Sequence, residues 1–239
     1  MQPADGLHEP DVPAVTPWPN RIVDGCYIFH GGEQQLAISE PSRGHALHGL
    51  ALWLNFDVIE KNESAVSLLG VIQPQTGYPH RIEILVNYSL SEEGLETSVT
   101  ATNLGDSPAP YGVAPHPYLI AGPGSVDDWT LTASVSSYLE ALGERLLPGE
   151  ILSIGEGDEF DFSSGKVVGD LFIDHAFTGA VFSNEKASVT LMSPAGTGVQ
   201  MTWGPELPWL QLHTADLPGH SLSRRSLAVE PMTCPPNAF

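Results

Sequence analysis

Apolar and polar residues alternate with period two along most of this chain. In RIEILVNYSL, Ile82, Ile84, Val86, Tyr88 and Leu90 fall on one face, with Glu83, Asn87 and Ser89 on the other. GLETSVTATN sets Leu95, Val99 and Ala101 against Glu96, Ser98, Thr100 and Thr102. WTLTASVSS alternates Trp129, Leu131, Ala133 and Val135 with small hydroxyl residues, and ASVTLMS, GVQMTW and PWLQLHT read the same way. Such alternation predicts half-buried antiparallel strands. No segment of helical length carries apolar residues three and four apart. Breakers such as SEEG, NLGDSPAP, AGPGSVDD, SPAGTG and GPELP separate the runs. The predicted class is all-β, and many long strands in one chain predict a large antiparallel β-sandwich rather than a small barrel.

Neither a linker nor an abrupt change of composition divides the sequence, so a single domain is expected over residues 18–239. Residues 1–17 are rich in proline and acid and read as a loose N-terminal segment. Residues 143–170, richer in glycine and acid, read as a long loop or irregular strands lying on the sandwich.

Composition narrows the function. The 239 residues are 41% hydrophobic, enough for a real core. Nine Lys+Arg stand against 29 Asp+Glu, a formal net charge of -20. That surface repels phosphate backbones, so neither nucleic acid nor an anionic membrane is an expected partner. The two cysteines, Cys26 and Cys234, form no disulfide framework and no Cys-x-x-Cys pair. The first residues lack the basic and apolar regions of a signal peptide, and no apolar run is long enough to span a bilayer. A reduced, cytoplasmic protein is the expectation.

Several polar residues stand out against the strand pattern. Asn20 and Arg21 precede the first clear strand. His45 and His48 lie in HALHGL, His116 sits between two prolines in APHPYL, and Asp174 and His175 are adjacent in FIDHAF. Each has an ordinary explanation as a surface, turn or hydrogen-bonded core residue. Gln211, in the middle of an apolar strand, is harder to dismiss, because a buried amide needs partners and a ligand can supply them. Glu230 follows the apolar LAV, and a partly desolvated carboxylate can act as a base near neutral pH. His45, His48 and His116 could offer imidazoles to a metal, but no His-Glu-x-x-His pattern organises them, so no metal is expected. No nucleophile elbow, phosphate loop or dinucleotide fingerprint is present. What remains suits a neutral sugar: Asn, Arg, Gln, Asp and His around one acid/base pair. Trp18, Trp53, Trp129, Trp203 and Trp209 could floor such a site, although most are expected in the core.

Taken together, PWPNRIVDGCY, HALHGL, QTGYPHRIEILVNYSL, TATNLGDSPAPYGVAPHPYL, DHAF, PWLQLHT and LAVEPMTCPPNAF resemble the aldose 1-epimerase (galactose mutarotase) family, in order, from about Trp18 onward. The resemblance implies a large antiparallel supersandwich that interconverts the α and β anomers of a free hexose such as glucose or galactose without a cofactor. It implies that His116 is the general acid at the ring oxygen and Glu230 the general base at the C1 hydroxyl. Arg21, His48, Asp174 and Gln211 would hold sugar hydroxyls, with Asn20 beside Arg21. Opening a hemiacetal takes a proton from O1 and delivers one to O5, which calls for a base and an acid on opposite sides of the ring. Ordinary pKa values of about 4.3 and 6.5 let a carboxylate and an imidazole hold opposite protonation states near neutrality. Family members carry strands before the NRI region and after PPNAF, so a sandwich lacking terminal strands is expected here. Two alternatives stand beside this reading. A sugar-phosphate mutarotase would need cations from Arg43, Arg81 or the pair Arg224–Arg225. A non-catalytic carbohydrate-binding or sensor protein on the same fold would predict loss of His116 or Glu230, and both are present.

Overall fold

The alternating segments form strands, and the computed structural model, which describes residues 14–239, is all-β apart from two short 3-10 turns, Ala51–Trp53 and Val126–Asp128. The chain divides into two units, one running through Val113 and including Phe239, the other Ala114–Ala238. Most of the predicted loose segment lies outside the described residues. Its last four, residues 14–17, are buried.

The first unit holds β1 (Arg21–Val23), β2 (Cys26–Phe29), β3 (Gly32–Gln35), β4 (His45–Leu47), β5 (Asp57–Lys61), β6 (Ala65–Ile72), β7 (Ile82–Ser91) and β8 (Gly94–Asn103). Strands β5-β6-β7-β8 make a four-stranded antiparallel sheet, and β1–β4 and β2–β3 form two small pairs. Ile82, Ile84 and Val86 point into a core with Trp18, Ile22, Tyr27, Ile72 and Tyr78, as the alternation predicts. The inward face expected of β8 is only partly realised. Leu95 and Ala101 are exposed and Val99 is half-buried, because β8 is an edge strand and the long β7–β8 hairpin carries Leu90 and Leu95 beyond the core.

The second unit holds β9 (Tyr118–Leu119), β10 (Thr130–Ala133), β11 (Ser137–Leu142), β12 (Leu147–Ser153), β13 (Lys166–Val167), β14 (Asp174–Thr178), β15 (Ala187–Met192), β16 (Gly198–Trp203), β17 (Trp209–His213) and β18 (Leu227–Met232). A four-stranded sheet, β13-β10-β15-β16, faces a six-stranded sheet, β12-β11-β14-β17-β18-β9. Trp129, Leu131, Val189 and Leu191 from the first side meet Phe177, Leu210, Leu212 and Val229 from the second in one core, the arrangement of a β-sandwich. The segment read as loop or irregular strand, residues 143–170, contains β12 and β13.

Because side chains alternate across a strand, the six-stranded sheet has a second face. Asp174 pairs with His213, Ala176 with Gln211, and Gln211 in turn with Glu230. All five share the face turned away from the sandwich core, while their strand neighbours Phe177, Leu210, Leu212 and Val229 fill that core.

Candidate active site

In the second unit the polar face is built by register. Glu230 lies on β18 directly opposite Gln211 on β17, and Gln211 Nε2 donates to Asp174 Oδ1 on β14 at 2.7 Å. Gln211 is buried, and its Oε1 has no hydrogen-bond partner. The amide is oriented by Asp174, since only its NH2 side can donate to a carboxylate, which leaves the carbonyl oxygen as an unused acceptor.

His116 reaches this face along a short, stiff path. Pro115 and Pro117 flank it, the Pro117 carbonyl accepts the Val229 N–H at 3.1 Å, and Tyr118 pairs with Ala228. The segment is therefore stitched to β18 next to Glu230. His116 Nε2 lies 3.2 Å from Glu230 Oε1, with the two side chains 7% and 2% exposed. A carboxylate so deeply buried requires a charged or strongly donating partner, and the imidazole supplies one. The Tyr118 ring sits 5.2 Å from the imidazole at 36° and braces it. The two side chains thus form a contacting, buried pair within the second unit.

In the first unit, the β1–β4 pair gathers Asn20, Arg21 and His48. Arg21 pairs with Leu47, and the His48 N–H donates to the Asn20 carbonyl at 2.8 Å. Asn20 and His48 both adopt left-handed backbone, φ 56° and 59°. Asparagine and histidine are both among the non-glycine residues enriched in that region. Gly49 explains the glycine of the LHG motif. At φ 73°, any Cβ would lie 2.2 Å from the Thr16 carbonyl oxygen, which accepts the N–H groups of Leu50 and Ala51.

Sequence reasoning did not single out Glu40. It accepts Arg21 Nε at 2.8 Å and Nη2 at 3.2 Å, and Arg43 Nη1 at 2.7 Å. Burial alone would push its carboxyl up, but the hydrogen bonds and charges of Arg21 and then Arg43 outweigh burial and hold it below its ordinary value. No local signal links residues 19 apart, so only the fold reveals this pairing. His45 is fully buried and accepts the Asp24 N–H through Nδ1 at 3.3 Å, a structural use. Of the five tryptophans, Trp18, Trp129 and Trp203 are buried, Trp53 is 70% exposed, and Trp209 is half-buried on the polar face of β17.

The aldose 1-epimerase family matches residues 3–239. The chain belongs to the aldose 1-epimerase family. It is 36% identical over 226 residues to the uncharacterised Escherichia coli (strain K12) protein YihR, covering 94% of this chain and 70% of YihR. Among solved structures, an aldose epimerase homologue from C. elegans superposes with a TM-score of 0.77 at 21% identity, covering 92% of this chain and 72% of that one. A galactose 1-epimerase from Lactobacillus acidophilus NCFM gives 0.67 at 18% identity, covering 93% and 71%. These likenesses show the galactose mutarotase-like fold. Among the described residues no helix is long and apolar enough to cross a membrane. Membership of the aldose 1-epimerase family implies a sugar as substrate.

Proposed function

We propose that the protein is a mutarotase that interconverts the anomers of a free neutral hexose, with His116 and Glu230 as its acid/base pair. The observation that carries this reading is the buried His116–Glu230 contact at 3.2 Å, beside a buried acceptor on Gln211 that has no protein partner. Glu230 as carboxylate takes the O1 proton. The C1–O1 double bond forms as the C1–O5 bond breaks, and the His116 imidazolium gives its proton to O5. Rotation about C1–C2 turns the aldehyde, and closure reverses both transfers on the other face. The proton count balances without solvent, and the pair returns to its starting state. Gln211 and Asp174 hold hydroxyls through one acceptor each, and Asn20, Arg21 and His48 take the hydroxyl-binding roles that the family resemblance assigns them.

Polarimetry with freshly dissolved α-D-glucose and α-D-galactose tests the reading. Wild type is expected to accelerate mutarotation well above the spontaneous rate, and Glu230→Gln and His116→Asn are each expected to lose about 10²–10⁴-fold of that acceleration. Retention of full activity by both variants overturns the assignment. A wild type that binds hexose without turnover points instead to a binding protein.

A further inference from the structure

We propose that His213 is a specificity-determining residue of this sugar site, holding one substrate hydroxyl through its Nε2 atom. The inference deepens the mutarotase reading and rests on it.

Three observations place His213 there. The β14–β17 ladder runs without a register break, and His213 pairs with Asp174 at its end. Directly opposed residues in an antiparallel pair have Cβ atoms roughly 4.5–5.5 Å apart, so the imidazole stands beside the Asp174 carboxyl on the face that carries Gln211 and Glu230. Leu212 and Thr214, its neighbours in sequence, are fully buried, whereas His213 is half-buried and keeps solvent access on the polar face.

The ring is also oriented. His213 Nδ1 lies 3.3 Å from the Ile173 carbonyl oxygen. Because a carbonyl can only accept, Nδ1 carries the proton, and in the neutral ring Nε2 is then an acceptor. The Ile173 peptide is itself fixed: its carbonyl accepts the Thr214 N–H at 3.0 Å, and its N–H donates to Thr214 Oγ1 at 3.1 Å. Thr214 Oγ1 is in turn hydrogen-bonded to the Asp216 carboxylate. The carbonyl that aims the imidazole therefore has little freedom.

The chemistry follows from the kind of groups assembled. His213 Nε2, Gln211 Oε1 and the Asp174 carboxylate form a row of acceptors. Acceptors in a row suit the O–H donors of a neutral polyol and disfavour a phosphate or carboxylate substituent, whose oxygens only accept. His213 thereby selects both a hydroxyl at one ring position and an uncharged sugar at that edge.

A binding cycle with deoxy sugars tests this. Dissociation constants of wild type and His213→Phe are measured by calorimetry for glucose and its 2-, 3-, 4- and 6-deoxy derivatives at anomeric equilibrium, alongside polarimetric rates for glucose. In wild type, deletion of the contacted hydroxyl is expected to weaken binding about tenfold. In His213→Phe that one penalty collapses to under about twofold, while the penalties at the other positions persist. His213→Gln, which keeps an acceptor, restores part of the penalty. The same penalties at every position in wild type and His213→Phe overturn the proposal while leaving the mutarotase reading intact. If wild type binds glucose without accelerating mutarotation, the mutarotase reading falls and the cycle still decides His213. No affinity for any of these sugars overturns both.

Discussion

Two polar clusters in the second unit use their hydrogen-bonding capacity in opposite ways. At Arg224 every guanidinium N–H is engaged. Nε donates to Asp127 at 2.5 Å, Nη1 to Asp216 at 2.7 Å, and Nη2 to the Gly169 carbonyl at 2.7 Å, while both terminal nitrogens also reach the Leu171 carbonyl. On the polar face of the six-stranded sheet, Gln211 spends its donor on Asp174 and leaves its buried carbonyl oxygen unmatched. A guanidinium has five donors, and a protein that satisfies all five has built a strut. A buried acceptor left open costs stability and makes sense where a ligand completes it. The contrast also bears on substrate charge. Arg224, one of the cations a phosphosugar would need, is consumed by the fold, and Arg43 is held on Glu40.

The sharpest way to break this contrast is to remove the strut. Arg224→Ala leaves Asp127 and Asp216 without their cation and removes the side-chain tie between the Val126–Asp128 turn and residues 169–171, leaving the backbone bond from the Gly169 N–H to the Asp127 carbonyl. The guanidinium is 15% exposed but Asp127 is 49% exposed, so the cost falls below that of a fully buried pair, at about 2–3 kcal/mol. Urea unfolding measures it, and hexose affinity of the folded variant is expected to stay within about twofold. Unchanged stability would show that saturation of donors does not distinguish architecture from site.

Gln211→Leu tests the other side, with a smaller effect. It removes an unmatched acceptor along with the donor to Asp174, whose half-exposed carboxylate can turn to water. Stability is expected to stay within about 1 kcal/mol, while KM for hexose rises about tenfold. Calorimetry and polarimetry together read the two quantities, and a large stability loss with unaltered KM would make Gln211 another strut.

The contrast marks how far the sequence could be read. Alternation in Ile82–Val86 and in Trp129–Ala133 predicted buried faces that exist, because burial there depends on period two alone. Gln211 and Glu230 stood out because each interrupts an apolar strand. Their direct opposition was not legible, since register between β17 and β18 depends on the whole sheet. Glu40 and Asp216 carried no signal, and Arg224 stood out only as a cation a phosphosugar would need: their pairings join residues 8, 19 and 97 positions apart that only the fold brings together. The outward turn of Leu95 has the same origin, because an edge strand looks like any other strand in a string of letters.

The smallest expected effect separates the two faces of a single strand. Asp174 and His175 are adjacent on β14, so one points to the polar face and the other toward the core. His175 packs 4.8 Å from the Phe160 ring and 6.0 Å from Tyr138, and its Nδ1 accepts the Asp174 N–H at 3.2 Å. Burial lowers its pKa below the ordinary 6.5, and the negative charges of Asp174 and Glu159 only partly oppose that. Between the lowered folded value and the unfolded one, the unfolded chain binds more protons at this ring, so unfolding free energy rises with pH across that window. Stability from this group is complete above about 6.5, declines as pH falls below it, and levels off once the folded ring is protonated. His175→Phe shifts the whole curve, because the Asp174 N–H loses its acceptor, but it removes this slope. Urea unfolding of both proteins between pH 7 and pH 5 is expected to give a shallower decline in the variant. Equal slopes would mean that the ring titrates as freely as in the unfolded chain. The division of β14 into a ligand face and a core face would then fail at His175.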